Sequence, residues 1–272
     1  MESIRPRGAL LLLVLVVLVG CSGSLSTGAE PITLRIAGST SMRPVLQELA
    51  ETYQTIHPNI GFELRGGGSA MGLQDLRTGK ADIAAISWKA ESDPVPSNVL
   101  GVPIARDGLI ILVHPSNTTQ GVTLLQLRTL YRGETADWAA LGGPAAEPVI
   151  ISREDGSGDR KAFEASVMGG DRVSLNALVM PTAQAVVDYV AGHRAAVGYV
   201  SMAQLRDDVR ALPIEGAAAS SEQVQTAAYH LVRQLYVYVN DPPSPAVRDF
   251  LDFVLSPTGQ AIIARHHVAL QK

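Results

Sequence analysis

Apolar and polar positions follow one another along this chain as a succession of short runs. Residues 32–37 (ITLRIA) make an apolar run of strand length, and over 44–53 Leu46, Leu49, Ala50 and Tyr53 recur at the spacing of a helix with one buried face. The same succession continues with a strand over 62–64 and a helix over 70–78 that Gly79 stops. Strands are predicted over 82–87 and 109–114, a helix over 122–130, a strand over 148–152 and a helix over 160–168. A helix over 183–191, strands over 197–200 and 235–239, and a largely helical stretch over 244–265 complete the pattern. Strands alternating with helices predict an α/β fold with mostly parallel sheets. The Ala/Ser stretch 216–221 predicts a surface turn, and the sequence shows no internal repeat.

The first 30 residues stand outside this pattern. Arg5 and Arg7 precede an apolar run from Ala9 to Val19, too short to span a bilayer and shaped like the h-region of a secretory signal. The tetrad Leu18-Val19-Gly20-Cys21 directly after it is similar to a bacterial lipobox, in which cleavage precedes the cysteine and the thiol takes a lipid. Cys21 is the single cysteine of the chain. Residues 1–20 are therefore expected to be a lipoprotein signal peptide, Cys21 a lipid anchor, and 21–30 a flexible tether of small polar residues. This places the protein on the extracytoplasmic side, anchored to the cell membrane.

With one cysteine there is no intramolecular disulfide, so the fold rests on its core. The 272 residues, less the signal, suffice for two domains of ordinary size. A formal charge of −4 without any basic run leaves no footprint for nucleic acid. If the chain binds an anion, local geometry must do it.

Three places share one design, a strand followed by small and hydroxyl residues that open a helix. They are Ala37-Gly38-Ser39-Thr40-Ser41, Gly66-Gly67-Gly68-Ser69-Ala70 and Arg153–Asp159. A helix start offers unpaired backbone N–H groups and the positive end of the helix dipole, glycine lets the backbone approach a ligand, and hydroxyls add donors. Ordinary N-capping explains any one such loop, because Ser and Thr favour helix starts. Three of them, one preceded by an arginine, point to an anion site. Asp159 is the odd residue, since a carboxylate repels an anion.

The chain resembles the phosphate-binding proteins of bacterial ABC transporters, within the type II periplasmic binding protein superfamily. GSTSMRPVLQELAETY is similar to that family's first anion loop and helix, and GGGSAMGLQDLRTGKADIAAIS to the second. RDGLIILVHPSN, TLYRGETADWAALGG, SREDGSGDRKAF, AAVGYVS, LYVYV and RDFLDFVLSPTGQAII follow in the family's order, from about Leu34 onward. The resemblance implies a two-lobed α/β fold, each lobe a mostly parallel sheet flanked by helices, joined by two crossing strands near 109–114 and 235–239. One lobe is then expected from 31–112 plus 235–272 and the other from 113–234, with the anion in the cleft between them. It further implies a monomeric binding protein, partnered by inorganic phosphate and by ABC permease subunits.

Carried over position by position, the resemblance implies that Thr40 and Ser41 donate to the ligand from the first loop and Ser69 from the second. Arg153 matches a charged, fork-shaped donor, and Ser157 and Gly158 match the third loop's donors. Two positions depart from the family pattern. Ser87 lies where well-known members carry an aspartate that accepts the phosphate proton, although others have serine, and Asp159 lies where a threonine donates. Trp88 stands where relatives often have arginine and is a candidate wall of the pocket. Two roles remain open for Asp159 at this point: acceptor of the P–O–H proton that sulfate lacks, or an acidic residue at its own helix start that points away from the ligand.

Nothing in the sequence recommends catalysis. The loops lack the nucleophile elbow, residues 72–80 lack the glycine spacing and hydroxyl of a P-loop, and Gly66-Gly67-Gly68 lacks the third glycine of a dinucleotide loop. None of the six histidines has metal-ligand spacing, and His266-His267 reads as surface. No catalytic residue, metal ligand or cofactor is expected. The alternatives are a binding protein for sulfate, molybdate or tungstate, a sensor or adhesion module, or a hydrolase on the same fold.

Overall fold

The computed structural model describes residues 30–88 and 97–270. The signal peptide, Cys21 and nearly all of the tether lie outside the described residues. In chain order the elements begin with β1 (Ile32–Gly38), α1 (Arg43–Ile56), β2 (Ile60–Arg65), α2 (Gly68–Arg77), β3 (Ile83–Ile86) and β4 (Val99–Val113). Then come α3 (Leu124–Tyr131), β5 (Val149–Arg153), α4 (Gly158–Phe163), β6 (Leu178–Met180), α5 (Ala183–Gly192), β7 (Ala196–Ser201) and β8 (Arg210–Leu212). The chain closes with α6 (Ser221–Gln225), β9 (Val232–Asn240), α7 (Pro245–Leu255), α8 (Pro257–Ile263) and β10 (Val268–Ala269).

Local sequence explains most of these elements. Helix α1 buries Val45, Leu46, Leu49, Ala50 and Tyr53 on one face and carries Pro44 in its first turn, where no N–H partner is lost. Helix α3 is started by a reciprocal capping pair, Thr123 with Gln126. The long helical stretch at the C-terminus is split at Ser256, which caps α8 and precedes Pro257.

The strands join in the order β2-β1-β3-β9-β4-β7-β5-β6, with β8 and β10 also pairing β4. Within each half the ladders are parallel, β2-β1-β3 on one side and β7-β5-β6 on the other. Strands β4 and β9 run antiparallel to their neighbours and through the middle. At 15 residues, β4 is about 50 Å long. Its first part pairs β9 from Val99 to Gly108, with an irregularity between Pro103 and Ala105, and its last part pairs β7 from Leu109 to Val113. The N-terminal half of β4 is not predicted from the sequence. Its Pro103, Arg106, Asp107 and Gly108 read as loop, and pairing partners far away in the chain override that preference.

Apolar packing changes where β4 passes Asp107. One cluster includes Leu34, Leu49, Ile83, Ile104, Ala105, Leu235, Val237 and Phe250. Another includes Leu109, Ile111, Trp138, Phe163, Tyr199 and Leu231, and a third packs α5 against Ile110, Leu112 and Val200. Among the described residues, no helix is long and apolar enough to cross a membrane.

Candidate functional site

The three loops singled out in the sequence meet where the two halves of the sheet join. The first follows β1: Ser39 to Met42 make a short turn that runs into α1. The second follows β2, where Gly67 adopts a left-handed backbone and Ser69 enters α2. The third follows β5, where the Ser157 side chain caps α4 by accepting from the Arg160 N–H at 3.3 Å.

Two glycines let these loops touch. The Ala70 N–H donates to the Gly156 carbonyl at 3.1 Å, and a Cβ on Gly68 would fall 2.8 Å from that carbonyl oxygen. A Cβ on Gly158 would fall 2.3 Å from Ser87 Oγ and 2.5 Å from Ser69 Oγ. No side chain larger than hydrogen fits at Gly158 while both hydroxyls keep their places.

Asp159 lies at the centre of this contact, 1% exposed. Ser41 donates to it at 2.5 Å, and Arg153 Nη1 lies 3.2 Å away. Arg233 Nη1 approaches at 2.7 Å, and the Ser87 hydroxyl lies at a long 3.5 Å. Ser39 Oγ donates to Ser87 Oγ at 2.9 Å, and Ser87 N–H donates to Ser69 Oγ at 3.2 Å. Arg153 also reaches Thr40 Oγ1 at 3.3 Å and forms a two-pronged pair with Glu154, both contacts 2.9 Å. The Met180 carbonyl accepts from its Nε.

The geometry rules out an Asp159 that points away from the loops. Ser157 is the helix cap, and the Asp159 carboxylate faces the loops. The structure thus brings together Thr40, Ser41, Ser69, Ser87, Arg153, Gly158 and Asp159. Ser157 is buried beside them with its hydroxyl engaged in capping. Trp88 is half-buried against the cluster around Tyr199.

Behind Asp159 stands a group that sequence reasoning missed. Arg233 on β9 and Asp107 on β4 are direct cross-strand partners. Arg233 Nε and Nη2 contact the Asp107 carboxylate at 2.9 and 2.8 Å, while its Nη1 turns to Asp159. Asp107 also accepts from Ser201 Oγ at 2.8 Å and from His267 Nδ1 at 3.1 Å. The surface reading of His267 is therefore corrected: the residue is 2% exposed, because the chain after α8 folds back and β10 pairs with β4 at Arg106. Burial alone would push the Asp107 carboxyl up, but Arg233, His267 and Ser201 hold it below the ordinary aspartate value. Burial likewise opposes the charge of Arg233, and Asp159 and Asp107 overcome it, raising its pKa. The signal available in the sequence was one acid and one base, Asp107 and Arg233, each just ahead of an apolar strand run.

Chemically, the arrangement is an acceptor of negative oxygen. Hydroxyl and guanidinium donors from four separate stretches of chain converge on one carboxylate in a place shielded from water. In such surroundings each charge-assisted contact is stronger than at the surface.

Fold and site together define a binding protein of the periplasmic type II class. Residues 25–258 match the model of the PBP superfamily domain, and the chain belongs to that superfamily. It is similar to the phosphate-binding protein PstS of Pseudomonas aeruginosa, with 28% identity over 90% of this chain and 82% of that one. Against the PstS of Bacillus subtilis the identity is 25%, over 82% of this chain and 75% of the other. Among solved structures, a candidate phosphate ABC transporter substrate-binding protein from Clostridium perfringens, with bound phosphate, is 30% identical. It superposes with a TM-score of 0.84 over 88% of this chain and all of its own.

Proposed function

We propose that this chain captures inorganic phosphate between two lobes and delivers it to the permease of an ABC transporter. The observation that carries this reading is the centre itself: Ser41, Arg153 and Arg233 already hold an oxyanion, the carboxylate of Asp159, in a site closed to water. The names of the relatives and the phosphate in the Clostridium perfringens structure support it. The ligand-binding residues are Thr40, Ser41, Ser69, Ser87, Arg153, Ser157, Gly158 and Asp159. Phosphate at neutral pH keeps a proton that the Asp159 carboxylate can accept, whereas sulfate has none to offer.

The energetics suffice. Charge-assisted hydrogen bonds contribute roughly 1.5–3 kcal/mol each, and micromolar binding needs about 8 kcal/mol. Half a dozen such donors reach that value after the cost of ordering.

The lobes in this reading comprise 31–112 with 235–272, and 113–234. The change of apolar cluster between Ala105 and Leu109 on β4, and between Leu231 just before β9 and Leu235 within it, supports a division at these two strands, with Leu109 and Ile111 already packed in the second cluster. Ligand binding would favour the closed arrangement of the lobes, which a permease then recognises. Cys21 supplies a lipid anchor on the extracytoplasmic side, and the chain works as a monomer without a cofactor.

Calorimetry of the chain from residue 31 with phosphate, sulfate, molybdate and tungstate tests the ligand, and sedimentation of the same sample tests the monomer. Heat from phosphate alone is expected. Tighter binding of any of the other three would overturn the assignment. In Asp159→Thr the preference for phosphate over sulfate is expected to shrink at least about tenfold, the value of one well-placed hydrogen bond.

A further inference from the structure

The network behind the site contains more charge than anion binding requires. Two guanidiniums, Arg153 and Arg233, stand among three carboxylates, Asp107, Asp159 and Glu154. Arg153 is divided between Glu154, Thr40 and Asp159. Among the described residues the guanidinium of Arg233 meets the two aspartates: Nε and Nη2 lie on Asp107, and Nη1 lies on Asp159. Its fork is fixed from behind, because Asp107 is itself held by Ser201 and His267.

We propose that Arg233 is a positioning residue that determines anion specificity, by holding the Asp159 carboxylate aimed between the three loops as an acceptor, so that an anion with a proton to donate is preferred. This inference rests on the phosphate reading above and deepens it.

The argument follows from what surrounds Asp159. From the turn before α1 it meets Ser41, from the end of β3 Ser87, from β5 Arg153, and from β9 Arg233. Tyr199 on β7 is the other titratable neighbour, and burial pushes its hydroxyl far up, so it stays neutral. Glu154 adds negative charge on the far side of Arg153, and Asp107 adds more behind Arg233. A bound anion makes its own demand on Arg153. Arg233 is then the cation left to Asp159, and it is the closer of the two, at 2.7 Å against 3.2 Å. Without it, the carboxylate loses its nearer partner and the contact that fixes its direction. A carboxylate free to turn away from the loops no longer presents a fixed acceptor to the P–O–H group, and the site loses its ground for preferring phosphate over sulfate. Arg233 reaches the ligand only through Asp159, which distinguishes its role from that of Arg153.

The test uses the intact chain with inorganic phosphate and sulfate as probes, measured by calorimetry, together with circular dichroism and a thermal midpoint to follow folding. Arg233→Gln is expected to lower the ratio of phosphate to sulfate affinity at least tenfold, and Arg233→Lys, which keeps the charge with a blunter aim, to restore part of it. Because Arg233→Gln takes the guanidinium away from the buried Asp107 and costs stability, the pair Arg233→Gln with Asp107→Asn is measured beside it. Adding Asp159→Asn to that pair is expected to change the ratio no further, since both changes take the same aimed carboxylate from the site. A folded Arg233→Gln/Asp107→Asn protein with the unaltered ratio overturns the inference and leaves the phosphate reading standing. An unaltered protein that takes up no phosphate overturns that reading, and the inference with it.

Discussion

Arg153 and Asp107 illustrate two uses of a buried charge. Arg153, 1% exposed, is the cation on the line of the three loops, and its fork spans Thr40, Glu154 and Asp159. Replacing it by alanine removes more than one charge-assisted contact, so phosphate affinity in Arg153→Ala is expected to fall at least about tenfold by calorimetry. Binding as tight as that of the unaltered chain would show that the cation does not serve the ligand. Asp107 serves stability. Its carboxyl is held below the ordinary value, so the stabilisation it provides is complete above the unfolded aspartate pKa, near 4. It is lost as pH falls below that value toward the folded one. Urea midpoints between pH 2 and 7 are expected to drop steeply on the acid side, and less steeply in Asp107→Asn. Equal slopes would contradict this linkage.

At the scale of elements, the meeting of α2, α4 and the end of β3 depends on the missing side chains of Gly68 and Gly158. In Gly158→Ala the new methyl group would overlap Ser87 Oγ and Ser69 Oγ and press on the Trp88 N–H at 3.1 Å. The serine hydroxyls can rotate away, but only by leaving the positions in which they face the site. Overpacking of this kind costs roughly 1–3 kcal/mol of stability. Phosphate affinity is expected to suffer as well, by about tenfold if one such donor is lost. Denaturant titration and calorimetry on the same sample separate the two effects; unchanged binding would mean that the two hydroxyls are not ligand donors. Helix α1 offers a contrast, because its contribution is packing alone. Leu49 is fully buried among Ile83, Leu235 and Phe250, and Leu49→Ala is expected to cost about 2–5 kcal/mol in chemical denaturation. A loss below 1 kcal/mol would show that the neighbouring elements collapse into the space.

For the whole molecule, the two antiparallel strands β4 and β9 carry both the change of core and the Asp107–Arg233 pair. The centre of the site is thereby tied to the strands about which two lobes would move. The proposed attachment to the membrane belongs to the same scale. Cys21→Ala is expected to shift the protein from the membrane fraction to the soluble one after cell lysis, while the chain from residue 31 binds phosphate unchanged. Retention of the Cys21→Ala protein in the membrane fraction would count against the lipid anchor.

Local pattern in the sequence was enough for the main strands and helices and for the three loops, though not for the short elements β6, β8, α6 and β10. Periodicity is a local property: Leu46, Leu49, Ala50 and Tyr53 repeat at helix spacing whatever they pack against, and Gly and Ser mark the loops wherever these lie. Family resemblance then ordered the loops around one cleft and singled out Asp159 as a departure. Tertiary structure alone decided which way Asp159 points and what stands behind it. Arg233 is 74 residues from Asp159 in the chain and 126 from Asp107, and a charged residue beside an apolar strand reads as an exposed end until its partner is known. The same holds for the first half of β4, whose proline, charges and glycine argue for a loop and whose pairing with β9 makes it a strand. His267 became a buried partner of Asp107 because the chain after α8 turns back onto β4. Charge pairing and strand pairing across such separations have no period, and only the folded chain brings their members together.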